Sequence, residues 1–226
     1  MSEVLRICLV GATGLTGTTL IHEAVGRLDL RIIGVTRRET PLPEGARMEM
    51  LLADPAQWPQ AIAEARAQVL VCALGTTWRK SGQDEAAFRA VDHDLVLTCA
   101  RAAKQAGIER MIVVSSIGAD ALSKNRYLRV KGEMEQGLAR IGFKRLDILH
   151  PGLIRGNRAE RRPAERLAML FSPLADLFLR GAWRKYRSMP VQVLAQAILG
   201  FAREKAGGRF VHDHDAIVRA ARRAGG

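Results

Sequence analysis

Arg6 to Val10 form a short apolar run that closes on Gly11-Ala12-Thr13-Gly14-Leu15-Thr16-Gly17 and passes at once into a segment of helical period. Glycine at every third position lets a backbone turn sharply from strand to helix, where side chains with a Cβ would collide. The helix start that follows presents unpaired N–H groups and the positive end of its dipole, which suits a diphosphate. A glycine-rich loop by itself says little. Placed directly after a strand and directly before a helix, it has the context that a dinucleotide-binding turn requires.

The rest of the chain repeats this rhythm. Strand-length runs are read at Arg6–Val10, Arg31–Val35, Met48–Leu52, Val69–Leu74, Arg110–Val114 and Arg145–Leu149, with helical segments near Leu15–Arg27, Pro55–Ala65, Asp84–Ala106 and Asn125–Ile141. Near-continuous apolar strands such as Val69 to Leu74 belong in a sheet covered on both faces. The alternation therefore predicts an α/β fold: a Rossmann-like, doubly wound parallel sheet in three layers. After Pro151 the pattern loosens into an arginine-rich stretch, then a helix Val191–Arg203, a strand Arg209–His212 and a last helix from Asp215. We expect one domain over residues 1–226, with a cofactor-binding core at 1–150 and a small C-terminal substrate lobe at 151–226.

With 48% hydrophobic and 26% charged residues, a chain of 226 has the balance of one globular domain. No secretory signal and no apolar run long enough to cross a bilayer is read, so no membrane span and a cytoplasmic location are expected. Cys8, Cys72 and Cys99 are too far apart for a metal ribbon or redox motif and read as free core thiols. The formal charge of +12 favours anionic partners, but it is spread along the chain without interleaved aromatics or any nucleic-acid-binding signature. Nucleic acid is set aside, leaving an anionic small molecule. Arg155 to Arg187 hold nine basic residues against three acidic ones, a segment that fits a pocket rim, a solvated face or a dimer contact. His212-Asp213-His214-Asp215 resembles a metal cluster but lacks a third group in sequence reach, so no metal is expected.

The second strand ends Gly34-Val35-Thr36-Arg37-Arg38, where an NAD site would carry a carboxylate for the ribose hydroxyls. Two guanidiniums suit a 2′-phosphate instead, which predicts NADP(H) in preference to NAD(H). Asp54 after the third strand falls where such folds contact adenine. Leu74, Gly75 and Thr76 after the fourth let a cofactor lie close to the sheet.

The fifth strand ends Ser115-Ser116-Ile117-Gly118, and the helix after it contains Tyr127-Leu128-Arg129-Val130-Lys131. Tyr127 and Lys131, four residues apart, share a helix face. A nearby ammonium and the nicotinamide charge favour the phenolate, and bringing a phenol to neutrality takes about 4 kcal/mol of differential stabilisation. Tyr127 then exchanges a proton with a substrate oxygen while a serine hydrogen-bonds it. Ser115 and Ser116 both fit that role; we assign Ser116 on strand phase.

Together these residues resemble the atypical short-chain dehydrogenase/reductases, and within them the Tat-interacting-protein-like oxidoreductases. The resemblance rests on Cys72 to Thr77, Val91 to Leu97, Ser115 to Asp120, Tyr127 to Glu133, and His150-Pro151-Gly152-Leu153, where histidine replaces that family's arginine. It implies NADPH along Gly11, Thr13, Gly14, Leu15, Thr16 and Gly17, its 2′-phosphate on Arg37 and Arg38, its carboxamide against the backbone at Pro151 and Leu153, and Ser116, Tyr127 and Lys131 at the nicotinamide, with Lys131 also on the ribose. Where many relatives carry an asparagine on the fourth helix, this chain has Asp92. The expected activity is hydride transfer with a small carbonyl substrate, by a monomer or homodimer. The alternative is an NADP(H) sensor that binds a protein partner without turnover.

Overall fold

A computed structural model describes residues 4–46, 48–156 and 187–225. Its strands are β1 (Leu5–Val10), β2 (Leu30–Thr36), β3 (Met48–Leu52), β4 (Val69–Cys72), β5 (Arg110–Val114), β6 (Arg145–Leu149), the short β7 (Ile154–Arg155) and β8 (Met189–Pro190), and β9 (Gly208–His212). The helices are α1 (Leu15–Glu23), α2 (Trp58–Glu64), α3 (Glu85–Arg89), α4 (Leu95–Gln105), α5 (Arg126–Ile141), α6 (Val191–Arg203) and α7 (His214–Gly225). Seven strands form one sheet in the order β3-β2-β1-β4-β5-β6-β9, every neighbouring pair parallel. This is the doubly wound fold that the alternation predicted.

The reversal of strand order on either side of β1 opens a crevice at the carboxyl ends of β1 and β4, where the connections depart to opposite sides. Two cores fill the faces. One packs Cys8, Ile33, Leu70, Met111 and Ile148 under α2, α4 and α5. The other packs Ile7, Leu9, Val71, Ile112 and Leu149 under α1, α6 and α7. Alternate residues of each strand thus serve opposite layers. That is why β4 is buried at all four positions and carries no polar residue.

One feature differs from the sequence reading. The segment Asp84–Ala106 is not one regular helix: α3 and α4 are joined by a π-helical turn, Ala90–Asp94. Residues 187–225 pack onto the same sheet. β9 pairs with β6 as the seventh strand, and α6 and α7 cover the sheet face shared with α1. Most of the basic segment between Arg155 and Arg187 lies outside the described residues.

The three cysteines are free and buried in one core. Burial, reinforced by the neighbouring Cys72, pushes the Cys8 thiol up to about 12, and burial pushes Cys72 up to about 11. Between the ordinary thiol value and these raised values only the unfolded chain ionises its thiols, so their contribution to stability falls as pH rises through that window. At pH 8 a thiol-specific disulfide reagent is expected to label none of the three in the native protein and all three after denaturation. Rapid labelling of one in native protein would contradict this burial.

Candidate functional site

The glycine turn is shaped by contact with the next strand over. Gly11 has φ +88, and a Cβ on it would lie 2.6 Å from the backbone of Ala73. On Gly17 a Cβ would lie 2.2 Å from the Gly11 carbonyl oxygen, so α1 packs hard onto the turn. Gly14 is exposed and faces outward as the N-cap of α1. No side chain caps this helix and its first turn has no acid. Thr18 and Thr19 bond backwards, their hydroxyls donating to the carbonyls of Gly14 and Leu15, and leave the N–H groups at the helix start to a ligand. Thr13 is exposed, Leu15 half-buried and Thr16 buried. The residues fit a diphosphate on chemical grounds: open N–H donors, a dipole end and an exposed glycine at the helix start.

The ends of β2, β3 and β4 border this turn. Val10 is in register with both Val35 and Cys72, which places Arg37 and Arg38 just beyond one side of Gly11, and Leu74, Gly75 and Thr76 beyond the other. Both arginines are exposed. The buried Thr36 shapes their turn, its hydroxyl donating to the Arg38 carbonyl at 3.1 Å. Asp54 follows β3, exposed, its side chain making no cap bond to the short 3-10 turn after it.

Beyond β4 the site acquires a buried charge. Asp92, on the π-helical turn, is 1% exposed and accepts from the Thr76 N–H at 2.8 Å. Its other oxygen lies 2.8 Å from the Nζ of Lys131, itself 4% exposed. Burial alone would lower the Lys131 ammonium, but the Asp92 carboxylate, helped by Tyr127, holds it above its ordinary value. Asn125 caps α5, accepting from the Tyr127 and Leu128 N–H groups, and sets the register of the helix. The half-buried ring of Tyr127 packs against Phe88 at 5.4 Å between centroids, and Phe88 against Trp78 at 5.8 Å.

The two serines part ways. Ser115 is buried and its hydroxyl donates to Oε1 of Glu135, the same oxygen that meets Nε2 of His150 at 2.8 Å. Ser116 makes only a local bond, donating to the Ile117 carbonyl at 3.3 Å. The Pro151 carbonyl accepts from Ile117 N–H at 3.1 Å, and the Leu153 carbonyl from Met189 N–H at 2.8 Å. The loops after β5 and β6 are thereby tied together, with the Leu153 side chain 51% exposed.

Sequence reasoning missed Glu135, although it sits on the stripe Tyr127, Lys131, Glu135 at successive four-residue steps. It also missed the aromatic pair Trp78 and Phe88, whose signal was only their nearness in sequence to Thr76. The segment from His212 to Asp215 is engaged elsewhere. His212 meets Asp147 at 2.8 Å and stacks on Phe201, and His214 meets Asp215 at 3.2 Å.

The chain matches the family described as NAD(P)H-binding over residues 11–157. It is 35% identical over 174 residues to the protein named fmp52, mitochondrial, of Emericella nidulans, covering 74% of each chain. It is likewise 35% identical over 198 residues to HTATIP2 of Rattus norvegicus, covering 85% of this chain and 79% of that one. MoeE5, solved in complex with UDP-glucose and NAD, superposes with a TM-score of 0.66 at 18% identity, covering 97% of this chain and 82% of its own, a likeness of fold. The mitochondrial name of the fmp52 relative overturns the cytoplasmic location expected from the sequence. Free thiols and the lack of a long apolar run do not separate one reducing compartment from another, so composition had no purchase on that question.

Gly17→Ala is expected to cost about 2 kcal/mol or more, because the added methyl meets fixed backbone rather than a movable side chain. A urea melt reads it directly; an unchanged midpoint would show that α1 does not pack on the turn as described.

Proposed function

The chain belongs to the NAD(P)H-binding family, and on that premise we propose that it is an NADP(H)-dependent oxidoreductase acting on a small carbonyl compound, with Tyr127 as proton donor. The observation that carries this is Lys131: a buried ammonium one helical turn from Tyr127, held by Asp92, whose other oxygen takes the Thr76 N–H just after β4. An ammonium is costly to bury, and such groups collect where chemistry needs them.

The roles follow from the surroundings. Gly11, Gly14 and Gly17 with the start of α1 would hold the diphosphate. Arg37 and Arg38, exposed and without a carboxylate partner among the described residues, would hold a 2′-phosphate. Asp54 would border the adenine, and Leu74, Gly75 and Thr76 the middle of the cofactor. Gly152 and Leu153 would face the carboxamide with their N–H groups, since the Pro151 and Leu153 carbonyls are already bonded. When bound, the nicotinamide supplies hydride. Tyr127 holds the proton that the carbonyl oxygen takes up, Ser116 hydrogen-bonds that oxygen, and Lys131 orients the ribose. Trp78 and Phe88 wall the Tyr127 side, which favours a substrate of modest size. Commitment of Ser115 to Glu135 supports Ser116 as the serine that meets substrate.

Two measurements check this. Replacing both Arg37 and Arg38 by alanine should weaken NADPH binding by about 100-fold, the scale of two charge-assisted contacts, and leave NADH within about twofold; equal loss for both cofactors would remove the specificity argument. Tyr127→Phe should lower kcat for carbonyl reduction about 100-fold or more while NADPH affinity holds. Tight NADPH binding with no turnover of any carbonyl or quinone by the unaltered protein would instead favour the sensor reading.

A further inference from the structure

Phe88 is completely buried, but the two rings that lean on it are not. Trp78, on the loop after β4, meets it edge-on at 5.8 Å between centroids, and Tyr127 of α5 lies tilted across it at 5.4 Å. Both outer rings stay half-buried. We propose that Trp78 is a specificity-determining residue: its half-open indole, seated with Tyr127 on Phe88, selects carbonyl substrates that carry a planar aromatic ring. This rests on the reading of Tyr127 as proton donor and deepens it by naming the class of substrate.

Two sets of contacts hold the indole. The Trp78 carbonyl accepts from the Gln83 N–H and from the Ser81 hydroxyl, each at 2.9 Å, and the Thr77 carbonyl accepts from the Ser81 N–H at 3.0 Å. Closing so tight a loop puts Gly82 and Gln83 in the left-handed region, at φ +70 and +61. For glutamine that conformation carries a cost which the surrounding contacts must offset. At its start the loop is tied by the Thr76 N–H to Asp92, the carboxylate that holds Lys131. At its end Asp84 caps α3, and Glu85 and Arg89 of that helix pair with Arg129 and Glu133 of α5. The helix bearing Phe88 is thereby fixed to the helix bearing Tyr127, so indole and phenol keep one relation to each other.

An indole left partly open beside a proton donor offers a broad apolar face and no charge. A saturated group can take only the contact area. An aromatic ring also takes the offset or edge-to-face geometry that these three rings already adopt among themselves. Leu153 adds a second apolar surface, 51% exposed on the loop after β6, which the Pro151 carbonyl ties to the loop after β5. The reaction is the one already proposed: the carbonyl carbon receives hydride from the reduced nicotinamide, which leaves oxidised, and the oxygen receives the Tyr127 proton, replaced from water. The ring attached to that carbon is what Trp78 selects, and its stacking aligns the carbonyl at the phenol.

Benzaldehyde and cyclohexanecarbaldehyde differ in flatness and little in size. Their ratio of kcat/KM with NADPH should fall about tenfold from the unaltered protein to Trp78→Leu, and stay within about threefold in Trp78→Phe, which keeps a ring on Phe88. Intrinsic reactivity cancels, because the same ratio is compared across variants. A ratio that Trp78→Leu leaves in place overturns the proposal, as does a loss in Trp78→Phe as large as in Trp78→Leu. Calorimetric titration of 2-naphthol and of its saturated counterpart decahydro-2-naphthol into the full chain, with and without NADP+, reads the same surface without turnover. Trp78→Leu should lower the ratio of their affinities by a similar factor, and an unmoved ratio overturns the proposal even where neither aldehyde is reduced. NADPH titration of the unaltered chain keeps the two readings apart: failure to bind sinks the oxidoreductase, whereas an unmoved naphthol ratio in a chain that binds NADPH sinks the aromatic selection alone.

Discussion

The meeting of the first turn with the end of β4 is the contact on which the candidate site depends. Gly11 lies so close to Ala73 that no side chain could stand there, and Gly17 lies so close to Gly11 that α1 starts directly from the turn. Since β1 lies between β2 and β4 in a parallel sheet, fixing this turn fixes the level at which both neighbouring strands end. The arginines after β2 and the small residues after β4 come to border the same crevice for that reason. The helix start is free of cap and acid, so its donors are offered outward rather than satisfied within the chain.

A second set of contacts fixes the opposite wall. α5 is tied by Asn125 at its start, by Lys131 to Asp92, and by Glu135 to Ser115 and His150 at the ends of β5 and β6. Gly132 allows the loop Ile117–Asn125 to lie against the helix, since a Cβ there would come within 2.2 Å of the Ala121 nitrogen. These ties make α5 a rigid ruler along which Tyr127 is set. Ser115 and Ser116 are separated by the same ties, one drawn inward to Glu135, the other left with a local bond to the Ile117 carbonyl.

The strands were readable because a parallel sheet buried on both faces demands nearly unbroken apolar runs, and β4 and β5 supply them. Helices were readable from period and caps, Asn125 above all. The π-helical turn at Ala90–Asp94 was not, because the five residues of α3 before it are too few to show the shift of phase that an extra residue brings. Nor could local sequence show that β9 pairs with β6, since that pairing joins segments some sixty residues apart. The basic segment after Arg155 gave a compositional signal with no period to place it.

What the sequence determined by itself is what depends on neighbours along the chain: the strand and helix alternation, the glycine turn, the Tyr127 and Lys131 face, and the arginine pair after β2. Each is carried by residues a few positions apart, where backbone geometry alone sets their relation. What tertiary structure decided is which groups meet across layers: Lys131 with Asp92, Asp92 with Thr76, Ser115 with Glu135 and His150. Those encounters join distant segments and take their energy from burial. A lysine in the sequence is a solvated cation until the fold removes its water and supplies a carboxylate in its place.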